Sequence, residues 1–176
     1  VAQTSTLYRF TIDLSDVDRG IYRSLEFRAA LHPSESIPFF ITRILAYCLN
    51  VQEGLEFTGG ISTPDDPALK VMGLTGGLDL WIDIGNPTAK RIHKASKSVK
   101  KVLIYTYKDP QKLLQDFKAE EVHHLGSIGI FSLDQRFLNG LGATLQRDNR
   151  WEMTHNEGQL YIGVGSESFE GKLTRH

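Results

Sequence analysis

Two aspartates on one strand face, with a run of cations directly behind them, are the residues whose types and spacing could do chemistry in this chain. From Leu78 to Gly85 apolar and other residues alternate. Leu78, Leu80, Ile82 and Ile84 therefore share one face of a strand, and Asp79, Trp81, Asp83 and Gly85 share the other, with both carboxylates directed away from the core. Lys90, Arg91, Lys94, Lys97, Lys100 and Lys101 follow with no acid among them. Such a helix face either contacts phosphate or is simply solvated. Trp81, between the two aspartates, could stack a base or cover an apolar patch.

The elements that must position these side chains read without a gap. Gly85-Asn86-Pro87 breaks the strand, and Pro87 suits a first helical position because the N–H it lacks has no partner there. Ile92, Ala95 and Val99 recur at helical spacing as the buried stripe of a basic helix. Val102 to Tyr107 is short, β-branched and aromatic, as an inner strand should be. Strand, helix and strand in one sheet imply a right-handed parallel crossover.

The remaining chain predicts one compact α/β domain over residues 1–176, with a mixed central β-sheet flanked by helices. An N-terminal hairpin is expected over about 1–31, from the alternating runs Leu7–Leu14 and Tyr22–Leu31 around DVDRG. The core spans about 35–145. It begins with a helix to about Leu49, followed by a short strand over Leu55–Gly60 and a loop through ISTPDDPALK. Further on come a helix from Asp109-Pro110, a buried strand over Ile128–Leu133 and a helix over Gln135–Leu145. Residues 148–165 form a second hairpin about HNEG, and the polar stretch 166–176 is read as a frayed tail.

Composition excludes several classes. At 176 residues, 40% apolar and 23% charged, the chain is ordinary for a globular protein, and a net charge of −1 argues against a large nonspecific nucleic-acid coat without excluding a local basic patch. Cys48 has no cysteine partner and sits in an apolar run, so it reads as a small buried hydrophobe. There is no secretory pattern at the start and no apolar window of membrane-spanning length, which together give a cytoplasmic reading with no membrane partner. His123-His124 has no ligand partner at metal-binding spacing, and Gly59-Gly60 and Gly76-Gly77 lack a phosphate-loop context.

Four motifs carry a resemblance that covers nearly the whole length: HPSES (His32–Ser36), LEFTGGIST (Leu55–Thr63), LDLWIDIG with NP (Leu78–Pro87) and KRIHKASKSVKKVLIYTY (Lys90–Tyr107). In these the chain resembles the YaeQ family of small bacterial proteins. The resemblance implies a compact variant of the PD-(D/E)XK, restriction-endonuclease-like fold. In that superfamily carboxylates hold a divalent ion, usually Mg²⁺, and a lysine positions or activates the attacking water.

Carried onto this sequence, Asp83-Ile84-Gly85 resembles the (D/E)XK segment, with glycine where the lysine should stand. Lys94, or failing it Lys90 or Arg91, is then the candidate to reach back from the helix. Asp79 and Asp83 are four residues apart, roughly 13 Å along a regular strand, too far to be joint central ligands of one ion. An acid from a neighbouring strand must join one of them. Glu56 suits this, because Leu55 and Phe57 share the opposite face. Glu35 resembles the superfamily's helix-borne acid, with a first-turn dipole role as its alternative.

Two functions follow as expectations. In the first, the protein is an Mg²⁺-dependent (or Mn²⁺-dependent) nuclease in which Glu56 and Asp83 hold the metal, Asp79 and Glu35 assist, and Lys94 contacts phosphate or water. In the second, it is a catalytically silent module that binds DNA, RNA or a protein partner through Lys90, Arg91, Lys94, Lys97 and Trp81. The missing lysine at Gly85 favours the second. Nothing in the sequence sets an oligomeric state.

Overall fold

The computed structural model describes residues 4–59 and 65–176. Contacts divide the chain into one unit formed by Val1–Ile44 with Leu133–Thr174 and another formed by Leu45–Ser132 with Arg175–His176. Two mixed sheets take the place of the single central sheet expected.

In the first unit, β1 (Thr6–Asp16) and β2 (Ile21–Leu31) form the N-terminal hairpin in the register Thr6↔Leu31 to Asp16↔Ile21. Alternation decides their faces. Phe10, Ile12 and Leu14 are buried, while Leu7, Arg9 and Asp13 are exposed. β1 also pairs in parallel with β8 (Asp148–Asn156), which turns back into β9 (Gln159–Val164). The two turn residues Glu157 and Gly158 both take positive φ, +50° and +78°, which matches strand twist in a two-residue hairpin. On the buried face Phe10 packs edge-on against Trp151 at 5.3 Å and stacks on Phe27 at 5.4 Å. The helix α4 (Gln135–Gly142), capped by Asp134, buries Phe137, Leu138 and Leu141, and it ends three residues before the expected Leu145.

The expected frayed tail is ordered. Glu167–Lys172 is β10, an edge strand on β9, and Thr174–Arg175 is β11, at the edge of the other sheet. Only Phe169 in β10 is a large apolar residue, so the strand is held mainly by its backbone pairing, which composition does not reveal. Its glycine is required by packing: a Cβ on Gly171 would lie 2.6 Å from the Phe137 ring.

In the second unit the sheet order is β11-β7-β6-β5-β4-β3, with β3 Leu55–Phe57, β4 Leu69–Met72, β5 Leu78–Ile84, β6 Lys101–Thr106 and β7 Gly129–Ser132. The crossover from β5 through α2 (Ala89–Ser98) to β6 is parallel, as the sequence predicts. Its helix starts two residues later than Pro87, because Thr88 is the N-cap and its hydroxyl accepts the Arg91 N–H. β4 begins in the last two residues of the stretch read as loop and runs two residues past it; Gly60 and the first residues of that loop, 61–64, are outside the described residues.

One face of this sheet packs Trp81, Val102, Ile104 and Ile130 against Ile92 and Ala95 of α2 and against Leu113 and Phe117 of α3 (Pro110–Ala119). On the opposite side Phe57 stacks on Tyr47, near the end of α1 (Ile37–Leu49), and the Asn50 side-chain amide donates to the Tyr105 hydroxyl. Buried Cys48 has its thiol pKa pushed up by burial, in keeping with a packing role. No helix among the described residues is long and apolar enough to cross a membrane.

Candidate functional site

β5 is covered on both faces, and this changes the environment of its acids. The face carrying Asp79, Trp81 and Asp83 lies in the layer under α2 instead of in solvent, and Asp83 is only 4% exposed. A carboxylate so placed needs charged partners. Arg91 supplies them. Its Nε donates to Asp83 Oδ2 at 2.8 Å and its Nη2 to Oδ1 at 3.1 Å, a two-pronged pair linking α2 to β5. Nη2 also donates to the backbone carbonyl of Asp66, and the guanidinium carbon stands 4.9 Å from the centre of the Trp81 ring. The hydrogen bond to Asp83 holds the Arg91 pKa above its ordinary value, against the opposing effect of desolvation and with help from the charges of Asp83, Asp65 and Asp66.

Arg91, and not Lys94, is therefore the cation that reaches back to the acid. The signal was present in the sequence: Arg91 adjoins Ile92 and lies one helical turn before Ala95, on the flank of the buried stripe, whereas Lys90, Lys94 and Lys97 are exposed. Asp65, Asp66 and Lys70 also belong to this neighbourhood and were not singled out from sequence. Lys70 Nζ stands 4.0 Å from Asp66 Oδ1.

Glu56 and Asp83 are not on adjacent strands. β4 runs between β3 and β5, so Glu56 is opposite Lys70 and Lys70 is opposite Trp81. Glu56 and Asp83 share a face, but two strand spacings and two residues along the strand put their Cα atoms about 12 Å apart. Asp79, half-exposed at the start of β5, pairs with Lys100 at 2.8 Å. Glu35 belongs to the first unit, where it receives the Arg43 guanidinium at 3.0 and 3.1 Å and the His32 N–H at 3.1 Å. It precedes α1, whose first turn is capped by Ser36. Burial lowers the Arg43 pKa, and Glu35 partly offsets this.

As arranged, these residues do not fit a Mg²⁺ ion. Both oxygens of Asp83 are taken up by Arg91, and the acids proposed to join it do not converge on it. Among the described residues, no three His, Cys, Asp or Glu side chains come together as a metal-binding group. Gly85, where the resemblance would put a lysine, has φ +81° and donates its N–H to the Tyr105 carbonyl at 2.8 Å, a left-handed backbone that a lysine would strain. Trp81 is 8% exposed, so its ring serves the core and offers no open face to a base.

Three histidines gather beside α2. The His123 N–H donates to His93 Nδ1 at 3.0 Å, and the His123 and His124 rings stack at 3.9 Å. Desolvation, then His124, Lys97 and His93, lower the His123 pKa.

Two mixed sheets with four helices among the described residues, and a basic helix pinned to its strand by an arginine–aspartate pair, define an α/β protein. The chain belongs to the YaeQ family, whose model, described as YaeQ protein, matches residues 1–173. It is similar to a protein of Escherichia coli (strain K12) named Uncharacterized protein YaeQ, at 26% identity over 99% of this chain and 97% of that protein. Among solved structures, the YaeQ protein from Xanthomonas axonopodis pv. citri superposes with a TM-score of 0.90 at 28% identity, covering 98% of both chains. That from Pseudomonas syringae superposes with 0.89 at 29% identity, covering 99% of this chain and 97% of the other.

Proposed function

We propose that the protein is a non-catalytic binding module built on a PD-(D/E)XK-like core, which holds the phosphate backbone of DNA or RNA on the outer face of α2. The observation that carries this reading is the two-pronged grip of Arg91 on Asp83. Where a nuclease needs a carboxylate free to bind metal, the acid here is spent on fixing the helix. Gly85 at the position of the motif lysine supports the same reading. The exposed cations Lys90, Lys94 and Lys97 then supply the contact surface, each able to replace counterions along a phosphate chain.

The test measures binding and cleavage together, using single- and double-stranded DNA and RNA with Mg²⁺ or Mn²⁺ at high protein concentration. Salt-dependent binding without cleavage is expected. Metal-dependent cleavage by the wild type that disappears in Asp83→Asn would replace this reading with the nuclease one, in which Glu56 and Asp83 hold the ion and Asp79, Glu35 and Lys94 assist. Absence of binding to every substrate would remove nucleic acid as the partner.

A further inference from the structure

The first unit contains a second concentration of positive charge that the reading above does not use. Arg9 on β1 and Arg28 on β2 are direct cross-strand partners, and both are exposed on the outer face of the sheet. Directly opposed side chains in an antiparallel pair have Cβ atoms about 5 Å apart, and like charges there are destabilising. Arg147 adjoins them, its backbone carbonyl accepting the Arg9 N–H at 2.9 Å. The three arginines, with Leu7 and Asp148, line one cavity of about 410 Å³.

Arg19, Arg43 and Arg91 each lie against a carboxylate. Among the described residues, Arg9, Arg28 and Arg147 form no such ion pair. Asp148, opposite Arg9 on β8, contributes one carboxylate to a cavity with three guanidiniums, so an excess of positive charge remains. Planar guanidinium forks match the oxygens of a phosphate, and a bound anion would turn the repulsion between Arg9 and Arg28 into two attractions. Leu7, 48% exposed, offers an apolar wall to whatever carries the phosphate.

We propose that Arg9, Arg28 and Arg147 form a phosphate-binding site on the outer face of the five-stranded sheet. The phosphate comes either from a small phosphate monoester or from a nucleic-acid strand. The site shares no residue with α2, so its test stands or falls separately from the function proposed above.

The experiment compares thermal unfolding in sodium phosphate and in sodium chloride at matched ionic strength. It then titrates inorganic phosphate, a nucleoside monophosphate and a short oligonucleotide by calorimetry. The wild type should unfold at higher temperature in phosphate and bind it. Arg28→Gln and the double variant Arg9→Gln/Arg28→Gln should lose the phosphate-specific shift and bind phosphate about tenfold or more weakly. Lys112→Gln, which removes one exposed charge from α3, should retain both. In chloride the arginine variants should unfold no earlier than the wild type, because a repulsive pair has been relieved; this separates a lost site from a damaged fold. Oligonucleotide competing with inorganic phosphate identifies a nucleic-acid strand as the source. Nucleotide competition without oligonucleotide competition identifies the monoester. Equal stability of the wild type in the two salts, or a phosphate shift that survives the double variant, overturns the proposal.

Discussion

Arg91 holds both carboxylate oxygens of Asp83 across the gap between α2 and β5, and its guanidinium lies over Trp81. The pair is mostly withdrawn from water, with the Asp83 side chain 6% and the Arg91 side chain 26% exposed. Removing one partner of such a pair leaves the other charge uncompensated. Asp83→Asn is expected to cost about 3 kcal/mol, the low end for a buried pair because Arg91 retains some solvent. Urea unfolding of the two proteins measures it. A loss below about 0.5 kcal/mol, the range of an ordinary surface substitution, would show that the pair does not anchor the helix.

The exposed face of α2 yields a prediction about salt. If Lys94 and Lys97 each contact one phosphate, replacing either with Ala should reduce the slope of log K against log salt by about 0.7 to 0.9, and the pair by about twice that. Fluorescence anisotropy over a salt series reads the slope. A slope unchanged in the double variant would move the contact surface away from this helix.

Gly85 is constrained by its backbone. Gly85→Lys, which would place a lysine where the proposed PD-(D/E)XK-like core calls for one, is expected to destabilise the protein by about 1–2 kcal/mol, since a side chain at φ +81° meets the left-handed penalty. Chemical denaturation would show this. A variant as stable as the wild type would mean that the strand end relaxes and that the absent lysine has no backbone cause.

His123 gives a pH dependence whose sign follows from its surroundings. Desolvation and its neighbours His124, Lys97 and His93 disfavour its charged form, so the folded protein holds this proton less tightly than the unfolded chain does, whose value is about 6.5. The resulting loss of stability is absent well above that pH. It grows as the pH falls through the unfolded value and is complete below the folded one. NMR titration should place the His123 midpoint below 6.5, and His124→Gln should move it upward. A midpoint at or above 6.5 in the wild type would contradict the arrangement.

The segment from β5 to β6 was legible in sequence because three independent signals agree there: strict alternation, a glycine–proline break and a helical apolar stripe. β4 was not. It spans four residues directly after a proline-containing loop, too short for its alternation of buried Leu69 and Val71 to stand out. That one omission displaced the site, since inserting β4 separates Glu56 from Asp83. The choice between Arg91 and Lys94 depended on which side of the helix meets the sheet at its first turn. Buried Ile92 marks that side, and it places Arg91 nearer the sheet than exposed Lys94. β10 escaped because edge strands held by backbone bonds need little apolar composition.

The parallel alliance of β1 with β8 has a consequence for how the molecule is made. The hydrogen-bonded side chains of Asp16 and His155 are 139 positions apart in the chain, whereas Leu45–Ser132 is continuous. During synthesis the continuous stretch leaves the ribosome whole while β1 and β2 still wait for their neighbour, with the exposed edge of β1 open to wrong partners. Assembly is therefore expected to be ordered in time, middle first and ends last, with the long-range closure as the slow step. Pulse-labelled hydrogen exchange during refolding should find amides of β5 and β6 protected before those of β1 and β8; simultaneous protection would show that both halves form in one concerted event.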